Sequence, residues 1–90
     1  MKYSVSYHSN AIKDLKKIDR HQAKLIALWI EKHLIDCQNP RQFGKALRYD
    51  RKDQWRYRVG DYRLIADIQD NVINIEIVEV GHRKYIYISH

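Results

Sequence analysis

Apolar and polar residues alternate from Lys2 to Tyr7, with Tyr3, Val5 and Tyr7 on one side and Lys2, Ser4 and Ser6 on the other. A period of two predicts a half-buried strand. The period then lengthens. Ala11, Leu15 and Ile18 recur at helical spacing, Ser9 or Asn10 is placed to cap the helix, and Lys13, Lys16, Lys17 and Arg20 take the opposite side. Asp19 followed by Gln22 resembles a capping box and predicts a second helix. Ile26, Trp29, Ile30, His33 and Cys37 form its apolar stripe, widened by Leu25, Leu28 and Ile35. That helix should stop before Asn39 and Pro40, because proline disfavours helical geometry in the residue preceding it.

Beyond Pro40 the pattern returns to strands: a short one within Lys45 to Tyr49, then Trp55 to Val59, Tyr62 to Gln69 and Val72 to Val80. Gly60 and Asp61 suit a two-residue type II′ turn, and Asp70 with Asn71 forms the second turn. The expected fold is α+β, in the order β-α-α-β-β-β, with two N-terminal helices packed on one face of an antiparallel twisted sheet. No linker divides the chain, so residues 1–90 should make a single domain.

The first hairpin fixes a register. With Gly60 and Asp61 as its turn, Val59 faces Tyr62, Arg58 faces Arg63 and Tyr57 faces Leu64. Opposed residues share a side of the sheet. Trp55, Tyr57, Val59, Tyr62, Leu64, Ala66 and Ile68 then face the helices, while Arg56, Arg58 and Arg63 share the other side. Extending the alternation through the second turn pairs Ile68 with Ile73 and Leu64 with Ile77. It places Val78, Val80 and His82 on the arginine side, unless Gly81 introduces a bulge. Two opposed arginines repel each other. Phosphate is a natural ligand for such a cluster, since guanidinium forks bind its oxygens in pairs.

Composition narrows the classes. Lys and Arg total 17 against 11 Asp and Glu, a formal charge of +6 that points to a polyanionic partner. Residues 41–63 carry eight basic and three acidic side chains, whereas 64–81 carry four acidic and no basic ones. The longest apolar run, Leu25 to Ile30, is far shorter than the ~20 residues of a membrane span. The start of the chain has no signal-like apolar segment, and Cys37 is alone, which together lead us to expect a cytoplasmic protein. No pair of cysteines or histidines has zinc-ligand spacing, so neither metal nor cofactor is expected.

Three strings carry a family resemblance: Gly44-Lys45-Ala46-Leu47, Trp55-Arg56-Tyr57-Arg58-Val59-Gly60-Asp61-Tyr62-Arg63, and Gly81-His82-Arg83-Lys84 followed by Tyr87. With them the chain resembles a RelE-type toxin of the RelE/ParE superfamily along essentially its whole length. The resemblance implies a metal-independent, ribosome-dependent endoribonuclease that cuts the mRNA codon held in the A site of the 70S ribosome. In that reaction the ribose 2′-OH attacks the adjacent phosphorus, leaving a 2′,3′-cyclic phosphate and a 5′-OH. It also implies a small acidic RelB-like antitoxin as partner, with operator DNA met only through the antitoxin complex.

Such chemistry needs a base for the 2′-OH, an acid for the departing oxygen and cations for the phosphorane charge. By resemblance Arg63 and Arg83 stabilise the phosphate, and Tyr87 orients the base of the substrate. Arg56 and Arg58 stand where the family prototype carries lysines. Arginine is a poor proton acceptor, so these two position phosphate. His82 is then the acid–base candidate, its ordinary pKa of about 6.5 allowing both roles. Lys45, Arg48, Lys84 and Tyr85 complete the expected substrate-binding surface, and whether Tyr85 or Tyr87 meets the base stays open. Two other readings remain: a ParE-like inhibitor of DNA gyrase without nuclease activity, and an RNA-binding module without catalysis.

Overall fold

Two helices and five strands realise these patterns in a computed structural model that describes residues 1–47 and 53–82. In chain order they are β1 (Ser4–Tyr7), α1 (Ser9–Lys17), α2 (Arg20–His33), β2 (Lys45–Ala46), β3 (Gln54–Val59), β4 (Tyr62–Gln69) and β5 (Asn74–His82). The strands form one sheet in the order β1-β5-β4-β3-β2. All neighbours are antiparallel except β1 and β5, which run parallel. The sheet is therefore mixed. Both helices lie between β1 and the other strands in sequence, so β1 can return alongside β5 in the same direction. Ser4 N–H donates to the Ile73 carbonyl at 3.0 Å and His8 N–H to the Ile77 carbonyl at 2.9 Å, at either end of that pair.

The helices cover one face of the sheet, as the apolar pattern requires. Ala11, Ile26, Ile30 and Leu34 are buried with Tyr57, Leu64, Ala66, Ile75, Ile77 and Val80 in one core. Trp29 and His33 stack with ring centroids 4.6 Å apart, so the histidine serves packing. Leu25, Leu28 and Ile35 do not widen the buried stripe; each is at least 43% exposed.

Both helix starts are capped by side chains, but only one by the residue expected. Asp19 accepts from the N–H groups of His21 and Gln22. The first helix is capped by His8, whose Nδ1 accepts from Asn10 N–H, instead of by Ser9 or Asn10. The second helix ends well before Pro40. Asp36 adopts φ 64, which turns the chain back toward β1. Asp36 N–H then donates to the Tyr3 carbonyl at 2.8 Å, and Tyr3 N–H to the Cys37 carbonyl at 2.9 Å.

Residues 35–44 run beneath the start of β3 and are held there by buried donors. Tyr57 Oη donates to the Pro40 carbonyl, and Trp55 Nε1 to that of Phe43, both at 2.5 Å. Gly44 has φ +77, and a Cβ there would lie 2.2 Å from the Arg56 carbonyl oxygen. Only glycine permits both the left-handed backbone and the close pairing of β2 with β3.

Gly44→Ala should cost on the order of 1–3 kcal/mol in chemical denaturation from backbone strain alone; an unchanged midpoint would contradict the β2–β3 pairing. Burial raises the Tyr7 and Tyr57 hydroxyls above the ordinary tyrosine pKa of 10.0, and the hydrogen bond to Asp70 followed by burial raises Tyr3. A group raised in the folded state ionises first in the unfolded chain. Stability should thus be complete below 10.0 and fall as pH rises beyond it. Tyr57→Phe, though less stable at neutral pH, should show a shallower alkaline loss.

Candidate functional site

The hairpin of β3 and β4 has the register read from its turn: Val59 opposes Tyr62, Arg58 opposes Arg63 and Tyr57 opposes Leu64. Tyr57 and Leu64 are fully buried toward the helices, so Arg56, Arg58 and Arg63 stand on the opposite, outer face. Lys45 opposes Arg56 and joins them. The four cations therefore gather at one end of the outer face. Arg58 is exposed, while Arg63 is only 5% exposed, the one charged residue in the buried set among the described residues. Opposite Arg63 in β5 stands Gly81, which projects no side chain over the sheet.

The second turn departs from expectation. Asp70–Val72 form a short 3-10 turn, and Ile73 takes a left-handed conformation with φ 52. The loop is longer than two residues, so Ile68 opposes Ile75 rather than Ile73. Further along, the register slips between Ile65 and Ala66. Ala66 opposes Ile77, Ile65 opposes Glu79, and Val78 is the extra residue of a bulge. One extra residue reverses the alternation of everything after it.

The reversal corrects the placement of His82. Val80 opposes Leu64 and is 4% exposed in the core. His82 opposes Tyr62, and their rings meet edge to face at 5.6 Å. Both line a cleft of ≈650 Å³ with Asp14, Lys17, Asp19 and Val80, on the helix side of the sheet. Asp14 Oδ2 accepts from Val80 N–H at 3.0 Å and ties α1 to this strand end. His82 thus stands away from the arginines. Val78 stays partly exposed at the bulge.

Glu79 is what the alternation hid. It opposes Ile65, which also opposes Arg56 on the other side, so Lys45, Arg56, Ile65 and Glu79 form one row across the outer face. Asp67 and Glu76 oppose each other in the next row. The outer face consequently grades from basic beside the first hairpin to acidic beside β5, and the basic cluster has a carboxylate at its border. Arg48, Arg83, Lys84, Tyr85 and Tyr87 lie outside the described residues. Among the described residues no group of side chains is suited to hold a metal ion, and no helix is long and apolar enough to cross a membrane.

A second charged cluster was invisible in the sequence. Arg41 donates to Asp70 at 3.0 and 3.2 Å and to Asp53 at 3.2 Å, and Tyr3 Oη donates to Asp70 at 2.7 Å. The guanidinium also lies 6.0 Å from the Trp55 ring centroid. The members of the cluster, Tyr3, Arg41, Asp53 with Trp55, and Asp70, come from four separated stretches of chain, so no local pattern could announce it. The cluster fastens the loop before β2 to the far end of the sheet and leaves the basic end clear.

The chain matches the profile of the ParE toxin of type II toxin–antitoxin systems over residues 5–87. It belongs to that family. Among curated relatives, Toxin RelG of Mycobacterium tuberculosis is 32% identical over 97% of this chain and 98% of its own length. Toxin RelE of the same organism is 29% identical over 94% of this chain and 86% of its own. A chain of the M. tuberculosis RelBE2 toxin–antitoxin complex superposes with a TM-score of 0.77 at 26% identity, covering 92% of this chain and 93% of that one. A double arginine-to-alanine mutant of E. coli toxin RelE in the free state gives 0.78 at 19% identity, covering 99% and 92%, a likeness of fold. This is therefore a type II toxin of RelE kind, and its outer face carries the three arginines expected from the hairpin register.

A single-stranded polyanion offered to this basic face should dissociate with salt. Each alanine substitution at Lys45, Arg56 or Arg58 should flatten the slope of log affinity against log salt by about 0.7. A triple variant with the wild-type slope would show that these three cations do not hold the polyanion.

Proposed function

We propose that this toxin arrests translation by cutting mRNA on the 70S ribosome, through attack of a ribose 2′-OH on the adjacent phosphorus. The observation that carries this reading is the opposition of Arg58 and Arg63 across the outer face, beside the bare backbone of Gly81. Like charges directly opposed destabilise a sheet, and an anion brought between them reverses the sign of that interaction. Arg63 is largely withdrawn from water, where charge–charge interactions are screened less and a fixed guanidinium costs little reorganisation when negative charge develops. Arg56, Arg58 and Lys45 extend the cationic surface along the strand and hold the flanking phosphates. Arg83 and Tyr87 complete the site through the family resemblance, as a second phosphate ligand and as the group that orients the base.

The proposed chemistry needs no metal. The 2′-oxygen bonds to phosphorus, the bond to the 5′-oxygen breaks, and the products are a 2′,3′-cyclic phosphate and a 5′-OH. The cognate partner is an acidic, RelB-like antitoxin that neutralises the +6 chain, in line with relatives crystallised as RelB–RelE complexes from Methanococcus jannaschii and Pyrococcus horikoshii. We place the toxin in the cytoplasm, where its ribosomal target resides.

Induction of the wild-type chain should stop growth, with new message ends inside codons mapped by primer extension. Arg63→Ala should cut ribosome-bound message about 10²–10³-fold more slowly, as when one transition-state donor is lost. Full cleavage by that variant would remove the arginine site. Intact message together with blocked gyrase supercoiling would establish the inhibitor reading instead.

A further inference from the structure

Among the described residues, the basic cluster of the outer face consists of cations that cannot take up the 2′-OH proton. Guanidinium groups have no accepting lone pair, and a lysine with an ordinary pKa of about 10.4 is protonated at neutral pH. The imidazole expected to serve, His82, faces the helices. We infer that Glu79 is the general base of this toxin, resting on the nuclease reading above.

The strand register brings Glu79 to the site. Arg63 opposes Gly81, and Glu79 precedes Gly81 by two residues on the same strand, opposite Ile65. Glu79 and Arg63 are therefore diagonal neighbours on one face, roughly 7–8 Å apart at Cα, within mutual reach of long side chains. The position over Gly81 carries no side chain of its own. A phosphate seated there meets Arg63 from β4 and Arg58 from β3. The ribose next to it lies toward Glu79, along β5. Asp67 stands two residues beyond Ile65 and Glu76 three beyond Glu79 across the bulge, roughly 6.6–6.8 Å farther along the sheet, and both fit this position less well. Asp61 belongs to the hairpin turn past Arg58.

The charges that face Glu79 also suit the role. Lys45, Arg56, Arg58 and Arg63 come from β2, β3 and β4, while Asp67 and Glu76 lie on its acidic side. Those cations draw its carboxylate toward the phosphate position, and carboxylate oxygens are hydrogen-bond acceptors. In the step itself the 2′-OH proton passes to the Glu79 carboxylate as the 2′-oxygen bonds to phosphorus. The 5′-oxygen leaves and takes a proton from water. The bulge at Val78 makes this possible, since without it Glu79 would point into the core and His82 would stand on the arginine side.

Single-turnover cleavage of message on programmed ribosomes, measured across pH with toxin–ribosome affinity and melting temperature, tests the assignment. E79Q should cleave at least about 10²-fold more slowly than wild type at unchanged affinity. The wild-type rate should rise with pH and then level, and E79Q should lack that rise. E79D, which keeps the charge on a shorter stem, should retain the rise at a reduced rate, and it carries the test should E79Q melt early. Wild-type cleavage by E79Q, a loss explained wholly by weaker ribosome binding, or E79D as fast as wild type would each overturn the role of Glu79. None of these outcomes would touch the nuclease reading, which falls only if the wild-type toxin leaves the message intact.

Discussion

One extra residue in one strand decides what this sheet can do. Strand side chains alternate strictly, so a bulge turns every later residue to the other side. With Val78 as that residue, Val80 enters the core, Glu79 joins the arginine face and His82 joins the helix side. The two faces of the strand end then differ in chemistry. The outer one gathers guanidinium groups and a carboxylate, and the inner one joins an imidazole and a phenol to the carboxylates and ammonium of the first helix and its junction.

The remainder of the fold keeps that outer end in place. The core from α1, α2 and the inner side of the sheet fixes the strands. The loop through residues 35–44 then fixes the first hairpin from below. The buried hydroxyl of Tyr57 and the indole of Trp55 satisfy loop carbonyls that would otherwise be costly to withdraw from water. The Arg41 bridges to Asp53 and Asp70 are largely exposed, and exposed pairs contribute little each, so their value lies in orienting the loop. Stability is thus concentrated beneath the sheet, and the outer surface is left to charge. Fields of opposite sign at its two ends suit an elongated polyanion that approaches from the basic end.

Much of this was legible in the sequence. The alternation of Tyr62 to Gln69, interrupted at Ile65, and the Gly60–Asp61 turn gave β4 its bounds and the hairpin its register, because both signals are local. The faces of Arg56, Arg58 and Arg63 followed from them. α2 does stop before Asn39 but ends at His33, short of Ile35 and Cys37, because the left-handed Asp36, held by a hydrogen bond to distant Tyr3, turns the chain before Pro40 is reached. His82 was misplaced because the bulge arises where Leu64 and Val80 both need burial, a condition set by the neighbouring strand and carrying no local mark. The sequence raised a bulge at Gly81; the structure has it at Val78. The family resemblance identified the toxin class correctly, but a motif string does not report on which side of a sheet its histidine stands.

The separation of the two faces is the claim on which the rest stands, and it is accessible without the ribosome. Titration of the isotope-labelled toxin with a 2′-O-methyl RNA trinucleotide, which cannot be cut, reads both faces in a single NMR experiment. The guanidinium resonances of Arg58 and Arg63 should move together while the His82 and Tyr62 rings stay fixed. Movement of the His82 and Tyr62 rings with the arginine signals unchanged would place RNA on the helix side and contradict the account.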